Sequence, residues 1–352
     1  MHRSLSPTVG TVAALSLAFT ALGCAHNPYP LRKLDLTAHG SAVEEWAPHD
    51  QGSEWWYLTG RVRDAENNTY LFQHTIFHFY RGPTEAFMLH LAATDLAQKK
   101  HHFAEALKFP SAERYAKADA VAFEDNRLVV RAGAPFDLEV VGRSPALGMD
   151  LTVTSARPAV WHGADGVIVM GHKDADFQRS GYYSFTSMDV KGTLRLGDRT
   201  VEVTGDAWLD RQWGPFDEVG WEWFSLRYDD GRRAMVFVFP VTGAKFATLV
   251  DKDGNARTIG DFTDAPAALA YQNLATEIFA VKDLRFFLGW KLSLDGEEVT
   301  VKPLLTEQAN DSDFLKYWEG LCSLEDAQGN SLGYAIVETT ANAQKAIAQT
   351  RK

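Results

Sequence analysis

A chain of 352 residues, 45% of them hydrophobic, can bury one large core or two ordinary ones and is too apolar to be disordered. Its formal charge of -11 excludes the basic stripes that nucleic-acid binding requires. Aromatic residues reach 12%, with ten Trp, a supply that suits an all-β core or aromatic-lined cavities.

The first 24 residues, MHRSLSPTVGTVAALSLAFTALGC, place Arg3 before an apolar run from Val9 to Leu22 and then Ala-Leu-Gly-Cys. The run is shorter than the roughly 20 residues of a bilayer span, so residues 1–23 read as an export signal. They resemble a bacterial lipoprotein signal in which Cys24 becomes the lipid-modified first residue. Loss of Arg3 leaves 34 basic against 46 acidic residues, a charge of -12. Lipidation uses Cys24 and leaves Cys322 as the other thiol, so stability is expected from core and sheet without an internal disulfide. The expected location is the cell envelope, as a periplasm-facing outer-membrane lipoprotein, or secretion if Cys24 is not acylated.

A tether over 24–48 follows, in which Pro28 and Pro30 oppose regular structure. Beyond it, strand-forming runs such as TYLFQHTIFHFY and RAMVFVFPV alternate with turn signals at 66–68 (ENN), 196–198 (LGD), 228–231 (YDDG), 251–255 (DKDGN), 294–297 (LDGE) and 326–330 (DAQGN). Helical signal is confined to APAALAYQNLATEIFA (265–280) and the tail TTANAQKAIAQ. Hairpins without βαβ alternation predict an all-β chain of two antiparallel β-barrel domains with short helices: 49–216 and 217–345, divided just after Gly214.

SEWWYLTG (53–60) opens the first strand, with Glu54 and Trp56 on one face and Trp55 and Tyr57 on the other. Trp55 or Trp56 is expected as a structural plug, Trp56 also as a cavity wall and Glu54 as a second catalytic acid. His74, His78 and His90 in the next hairpin are cavity-lining candidates. On a strand His74 and His78 lie about 13 Å apart, too far to share a metal ion, so no metal is expected. His101 and His102 read as solvent-facing.

The densest chemistry is in GDAWLDRQWG (205–214). If Gly197-Asp198 is a two-residue turn, Leu196 pairs with Arg199 and the ladder sets Tyr183, Phe185, Ser187, Trp208, Asp210 and Gln212 on one face, with Tyr182, Ser184, Thr186, Leu209, Arg211 and Trp213 on the other. A one-residue slip would exchange these partners. A carboxyl on an aromatic face is partly desolvated and can hold its proton near neutrality; the rings can stabilise a carbocation. Asp210 paired with Arg211, or capping backbone near a barrel end, is the alternative. In VGWEWFSLRYDDG, Trp221, Trp223, Ser225 and Arg227 share a face, and Trp221 and Trp223 can complete a pocket at the domain junction. Trp318 and Tyr334 are expected to pack together in a closing hairpin. No GxSxG, HExxH, P-loop or dinucleotide fingerprint occurs, and DKDGN lacks a calcium loop's twelfth-position Glu.

SEWWYLTG, YYSFTSMDVKGTL (182–194), GDAWLDRQWG, VGWEWFSLRYDDG (219–231) and YWEG…GYAIVET (317–339) resemble the AttH/carotenoid 1,2-hydratase-like family. The resemblance implies two lipocalin-like (calycin) domains in tandem. It implies a cofactor-free protein binding an apolar isoprenoid or fatty-acyl-like ligand, and a hydratase or hydro-lyase if it turns that ligand over, with Asp210, Glu54 and Tyr183 as catalytic candidates. The alternative is a non-catalytic lipid carrier or an envelope accessory of an ABC-transporter system. Carotenoid hydratases carry Tyr-x-Asp where this chain has Trp208-Leu209-Asp210, so the acid transfers and the tyrosine hydroxyl does not. Exported relatives carry His and Glu where Arg211 and Gln212 stand, which removes a histidine mechanism from this motif.

Overall fold

The computed structural model describes residues 42, 44–49, 52–81, 84–109, 119–131, 136–155, 157–163, 166–171, 178–215 and 219–351. All lie in one compact unit, Asp35–Lys352. The export signal, Cys24 and most of the tether fall outside the described residues.

One sheet is built from β1 (Gly52–Arg63), β2 (Thr69–Arg81), β3 (Thr84–Asp95), β4 (Lys100–Lys108), β5 (Ala120–Phe123), β6 (Asn126–Arg131), β7 (Phe136–Arg143), β8 (Leu147–Ser155), β9 (Val160–Trp161), β10 (Val167–Val169), β11 (Arg179–Leu196) and β12 (Arg199–Gly214). A second is built from β13 (Glu222–Tyr228), β14 (Arg233–Val238), β15 (Lys245–Val250), β16 (Ala256–Gly260), β17 (Leu269–Val281), β18 (Leu284–Leu294), β19 (Glu297–Pro303), β20 (Ala309–Asn310), β21 (Tyr317–Glu325) and β22 (Ser331–Thr340). The orders are β4-β3-β2-β1-β12-β11-β8-β7-β6-β5, with β9 and β10 also on β11, and β16-β15-β14-β13-β22-β21-β19-β18-β17, with β20 on β21. Each sheet is a curled, open half-barrel: among the described residues no ladder closes β4 onto β5 or β16 onto β17.

The six turn signals all join antiparallel neighbours. Three share one device. Asp64, Asp251 and Asp326 each accept the backbone N–H two residues on and the N–H and side-chain amide of an Asn four residues on (Asn68, Asn255 and Asn330), at 2.8–3.0 Å. The residue before each Asn has positive φ, which Gly254 and Gly329 adopt without a Cβ penalty and Asn67 tolerates.

The tail forms the expected helix, α1 (Ala341–Thr350), capped by Thr340 accepting from Ala343 N–H. The other helical expectation is corrected: within 265–280 only Pro266–Ala268 makes a 3-10 turn, and Leu269 onward is strand β17. Its Ala-rich sequence favours helix, but propensity is a weak determinant and pairing with β18 overrides it.

The pleat sorts side chains into two buried sets. Trp56, Trp46, Phe136 and Phe185 pack together inside the curl of the first sheet, while Phe224, Trp290 and Trp318 do so inside the second. The opposite faces meet each other: Trp55, Tyr57, Trp208 and Tyr182 pack on Trp221, Trp223 and Phe237. Trp318 therefore lies in one layer and Tyr334 in the other, so the expected contact does not form. On the β21–β22 ladder Trp318 stands opposite Thr339 and Tyr334 opposite Ser323, which turns them to different faces.

Candidate functional site

The β11–β12 ladder starts as the turn dictates, Leu196 with Arg199, and keeps that register to Met188 with Ala207. Next, Phe185 pairs with Leu209: three residues advance on β11 against two on β12. This bulge flips the faces beyond it. Asp210 consequently shares its face with Tyr182 and Ser184; Tyr183 and Phe185, expected beside it, join Arg211 on the other side. Tyr183 donates to the Ala42 carbonyl at 2.8 Å, and Phe185 stacks on Phe136.

Asp210 thus faces the second sheet, 3% exposed. Its Oδ2 accepts from Tyr182 Oη at 2.7 Å; its Oδ1 accepts from Trp208 Nε1 at 2.5 Å and from Ser184 Oγ. Trp223 Nε1 of the second sheet donates to Tyr182 Oη at 3.1 Å. Because the Ser184 proton goes to Asp210, His162 donates from Nε2 to Ser184 Oγ at 2.7 Å and accepts at Nδ1 from Thr248 at 2.9 Å. Burial pushes His162 down to about 3, so it is neutral. Burial pushes Asp210 up to about 7, against the opposing pull of Ser184, Tyr182, Trp208 and the more distant Arg227 cation.

Asp210 and Gln212 line a narrow cleft with Trp55, Tyr57 and Phe77 of the first sheet and Trp221, Trp223, Phe237 and Glu338 of the second. Its cavity is about 20 Å³, room for about one water. Glu338 accepts from Trp221 Nε1 at 2.5 Å, and both keep some exposure, forming the rim. Opposite Glu338 on the ladder stands Glu319, whose Oε1 accepts from Tyr57 Oη at 2.9 Å. Burial, the Glu338 charge beside it adding, raises Glu319 well above the carboxylate range; burial, and secondarily the Asp210 charge, also raises Glu338.

Glu54 belongs to a different cluster, inside the curl of the first sheet. It binds Arg211 Nη2, His78 Nδ1 at 2.5 Å and His49 Nδ1 at 3.2 Å, and the Arg211 guanidinium lies 4.0 Å over the Trp56 ring. Although burial works to raise it, Arg211 and the two histidines hold Glu54 well below the usual range. His78 Nε2 meets Glu85 at 2.8 Å, and His74 donates to the Val141 carbonyl at 3.0 Å, burial taking His74 down to about 4. His90 alone of these three histidines faces the second sheet, bonded to Tyr317 Oη at 2.9 Å and Glu105 at 3.0 Å. His101, expected in solvent, bridges Thr94 and Asn310 at 2.9 and 3.0 Å. Asn310 extends the reach of the second sheet over β4, which a reading of local polarity does not anticipate.

The structure therefore gathers Asp210, Trp208, Gln212, Trp221 and Trp223, and leaves Glu54, Trp56, His74, His78, Tyr183 and Phe185 on the far face of the same sheet. Tyr57, Tyr182, Ser184, His162, Glu319 and Glu338 escaped the sequence reading. Glu338 carried a signal: in TyrAlaIleValGlu it occupies the face of Tyr334 and Ile336, a carboxyl in an apolar row. Among the described residues no group of His, Cys, Asp and Glu is placed to hold a metal ion.

A family model described as AttH-like matches residues 41–341. The fold is similar to the crystal structure of an AttH candidate from Nitrosomonas europaea (TM-score 0.77, 22% identity, 89% of this chain and 99% of that one). It is also similar to kievitone hydratase from Nectria haematococca (TM-score 0.69, 16% identity, 90% and 97%) and to CghA with Sch210972 (TM-score 0.53, 11% identity, 90% and 96%). No curated protein matches the sequence.

Proposed function

Because this chain belongs to the AttH-like family, we propose that it binds an apolar, isoprenoid-like molecule in the cleft between its sheets and adds water across a double bond of it, without a cofactor. The observation that carries this reading is Asp210: a carboxyl pushed up to about 7 by burial, fixed by three donors against an aromatic wall. Such a group is half protonated at neutral pH and can protonate an alkene. Trp55, Trp221, Trp223 and Tyr57 surround the cation that results. Among the described residues the cleft is lined by the carboxyls Asp210 and Glu338 and by no Lys or Arg, which favours a neutral ligand over a fatty-acyl carboxylate. Trp55 and Trp221 stack across the cleft at 5.6 Å, so entry parts the sheets at that rim.

A non-catalytic lipid carrier, or an envelope accessory of an ABC-transporter system, is the second reading; the aromatic lining shared by both sheets can hold an apolar ligand without chemistry. In either case the proposed location is the cell envelope, through acylated Cys24. The test is to purify the chain beginning after Cys24, identify co-extracted lipids by mass spectrometry, and assay water addition to them. A retained apolar ligand converted by wild type and not by Asp210→Asn supports the hydratase. Equal conversion by both removes Asp210, and ligand retention without conversion supports the carrier.

A further inference from the structure

Hydration needs two proton transfers, one to carbon and one from water, and Asp210 accounts for the first. Three observations locate the second. The cleft already has room for about one water. Gln212, 1% exposed, lines it with its Nε2 tied to Ser180 Oγ at 2.8 Å and its Oε1 without a partner. Ser180 Oγ also lies 4.0 Å from Met170 Sδ, an acceptor for its hydrogen while its oxygen takes the Gln212 amide hydrogen. A buried carbonyl oxygen without a donor is costly, and a water in the cleft supplies one. Finally, Glu338 reaches the same cleft from the facing sheet.

Resting on the hydratase reading above, we propose that Glu338 takes the proton of the adding water and that Gln212 positions that water through its Oε1. Two carboxylates directly opposite repel, and burial raises both, against the pull of Tyr57 and Thr59 donating to Glu319 and of Trp221 donating to Glu338; water addition requires the form in which Glu338, the one at the rim, has given up its proton.

The steps balance with water as the only co-reactant. The alkene π pair takes the Asp210 proton and forms a C–H bond, leaving a carbocation and the Asp210 carboxylate. A lone pair of the water held by Gln212 forms the C–O bond while one O–H proton passes to the Glu338 carboxylate. The tertiary alcohol leaves, and transfer of the proton from Glu338 to Asp210 restores the start. Catalysis thus requires a carboxyl from each sheet, and the pair must hold one proton between them.

Isotope partition with geranylgeraniol as the probe tests this on the chain beginning after Cys24. Wild type in deuterated, 18O-labelled water is expected to give alcohol carrying both labels. Glu338→Gln should lose 18O incorporation by about a hundredfold or more yet still wash deuterium into the recovered alkene, because Asp210 can protonate and reclaim a proton without water adding. Gln212→Met should lower kcat with KM unchanged, and Asp210→Asn should lose both labels. Undiminished 18O incorporation in Glu338→Gln overturns the assignment while the hydratase reading stands. No label from wild type overturns that reading and the assignment with it. If Glu338→Gln loses both labels, Glu338→Asp and circular dichroism distinguish misfolding from chemistry: a folded Asp variant without 18O product overturns the separate role for Glu338.

Discussion

Asp210 and Arg211 are consecutive in β12 and buried on opposite faces of it, Asp210 bonded to Tyr182 toward the second sheet and Arg211 bonded to Glu54 beneath the curl of the first. Adjacent strand residues point apart, so the cation nearest in sequence gives the acid no hydrogen bond. That separation leaves burial to dominate Asp210 while Arg211 neutralises Glu54.

Asp210→Asn keeps the donors' geometry and removes the transferable proton. Turnover of any ligand found is expected to fall by about 10²–10⁴-fold with binding retained, read as kcat and Kd separately. In wild type, turnover should decline as pH rises through about 7, where Asp210 ionises.

The same group makes stability depend on pH. Its folded value, about 7, lies above the unfolded one, so the stability it contributes is fully present below about pH 4 and is lost as pH rises toward and through 7. Urea unfolding at pH 4.5 and 8 should show wild type losing ground to Asp210→Asn on the order of 3–4 kcal/mol. A constant difference between the two proteins would contradict the raised value.

Glu54 has the opposite sign. Its value is held below the ordinary range, so its stabilising contribution is present above about pH 4.5 and is lost as pH falls further. Arg211→Met leaves a buried carboxylate short of its cation, at an expected cost of about 3–5 kcal/mol in denaturant unfolding near neutral pH. Arg211→Lys should recover only part, because the guanidinium also bonds the Ala47 carbonyl at 2.9 Å and covers Trp56.

Tyr182→Phe removes a donor to the charged form of Asp210 and frees Trp223 Nε1. The alkaline limb of the pH profile should move upward, since Tyr182 favours the carboxylate. A limb that stays in place would show that Tyr182 does not tune the acid.

Cys24→Ser should shift the chain from the membrane fraction to the soluble one and abolish labelling by a fatty acid. Wild-type chain already soluble and unlabelled would establish plain secretion instead.

The strands, the six turns and the terminal helix were legible because each depends on neighbours in sequence: Asp-Asn turns bond within four residues, and alternation fixes which side chains share a face. The stretch 265–280 was not, since its strand exists only by pairing with β18. Asp210 as an acid on an aromatic face was legible too, along with Trp208 and Gln212. Its partners across the ladder were misassigned because a bulge is an insertion in pairing, invisible to a register counted from the turn.

The sequence by itself determined an antiparallel all-β chain and a carboxyl among tryptophans, since periodicity and turn chemistry are local. Tertiary structure decided that the sheets curl without closing, that Tyr182 replaces Tyr183 beside Asp210, and that Glu338 and Trp223 arrive from more than a hundred residues away or from the facing sheet. Packing two faces together also sets how much water each carboxyl keeps: burial works to raise both, and the Arg211 cation with His49 and His78, brought to Glu54 from other parts of the chain, separates it from the raised acid Asp210.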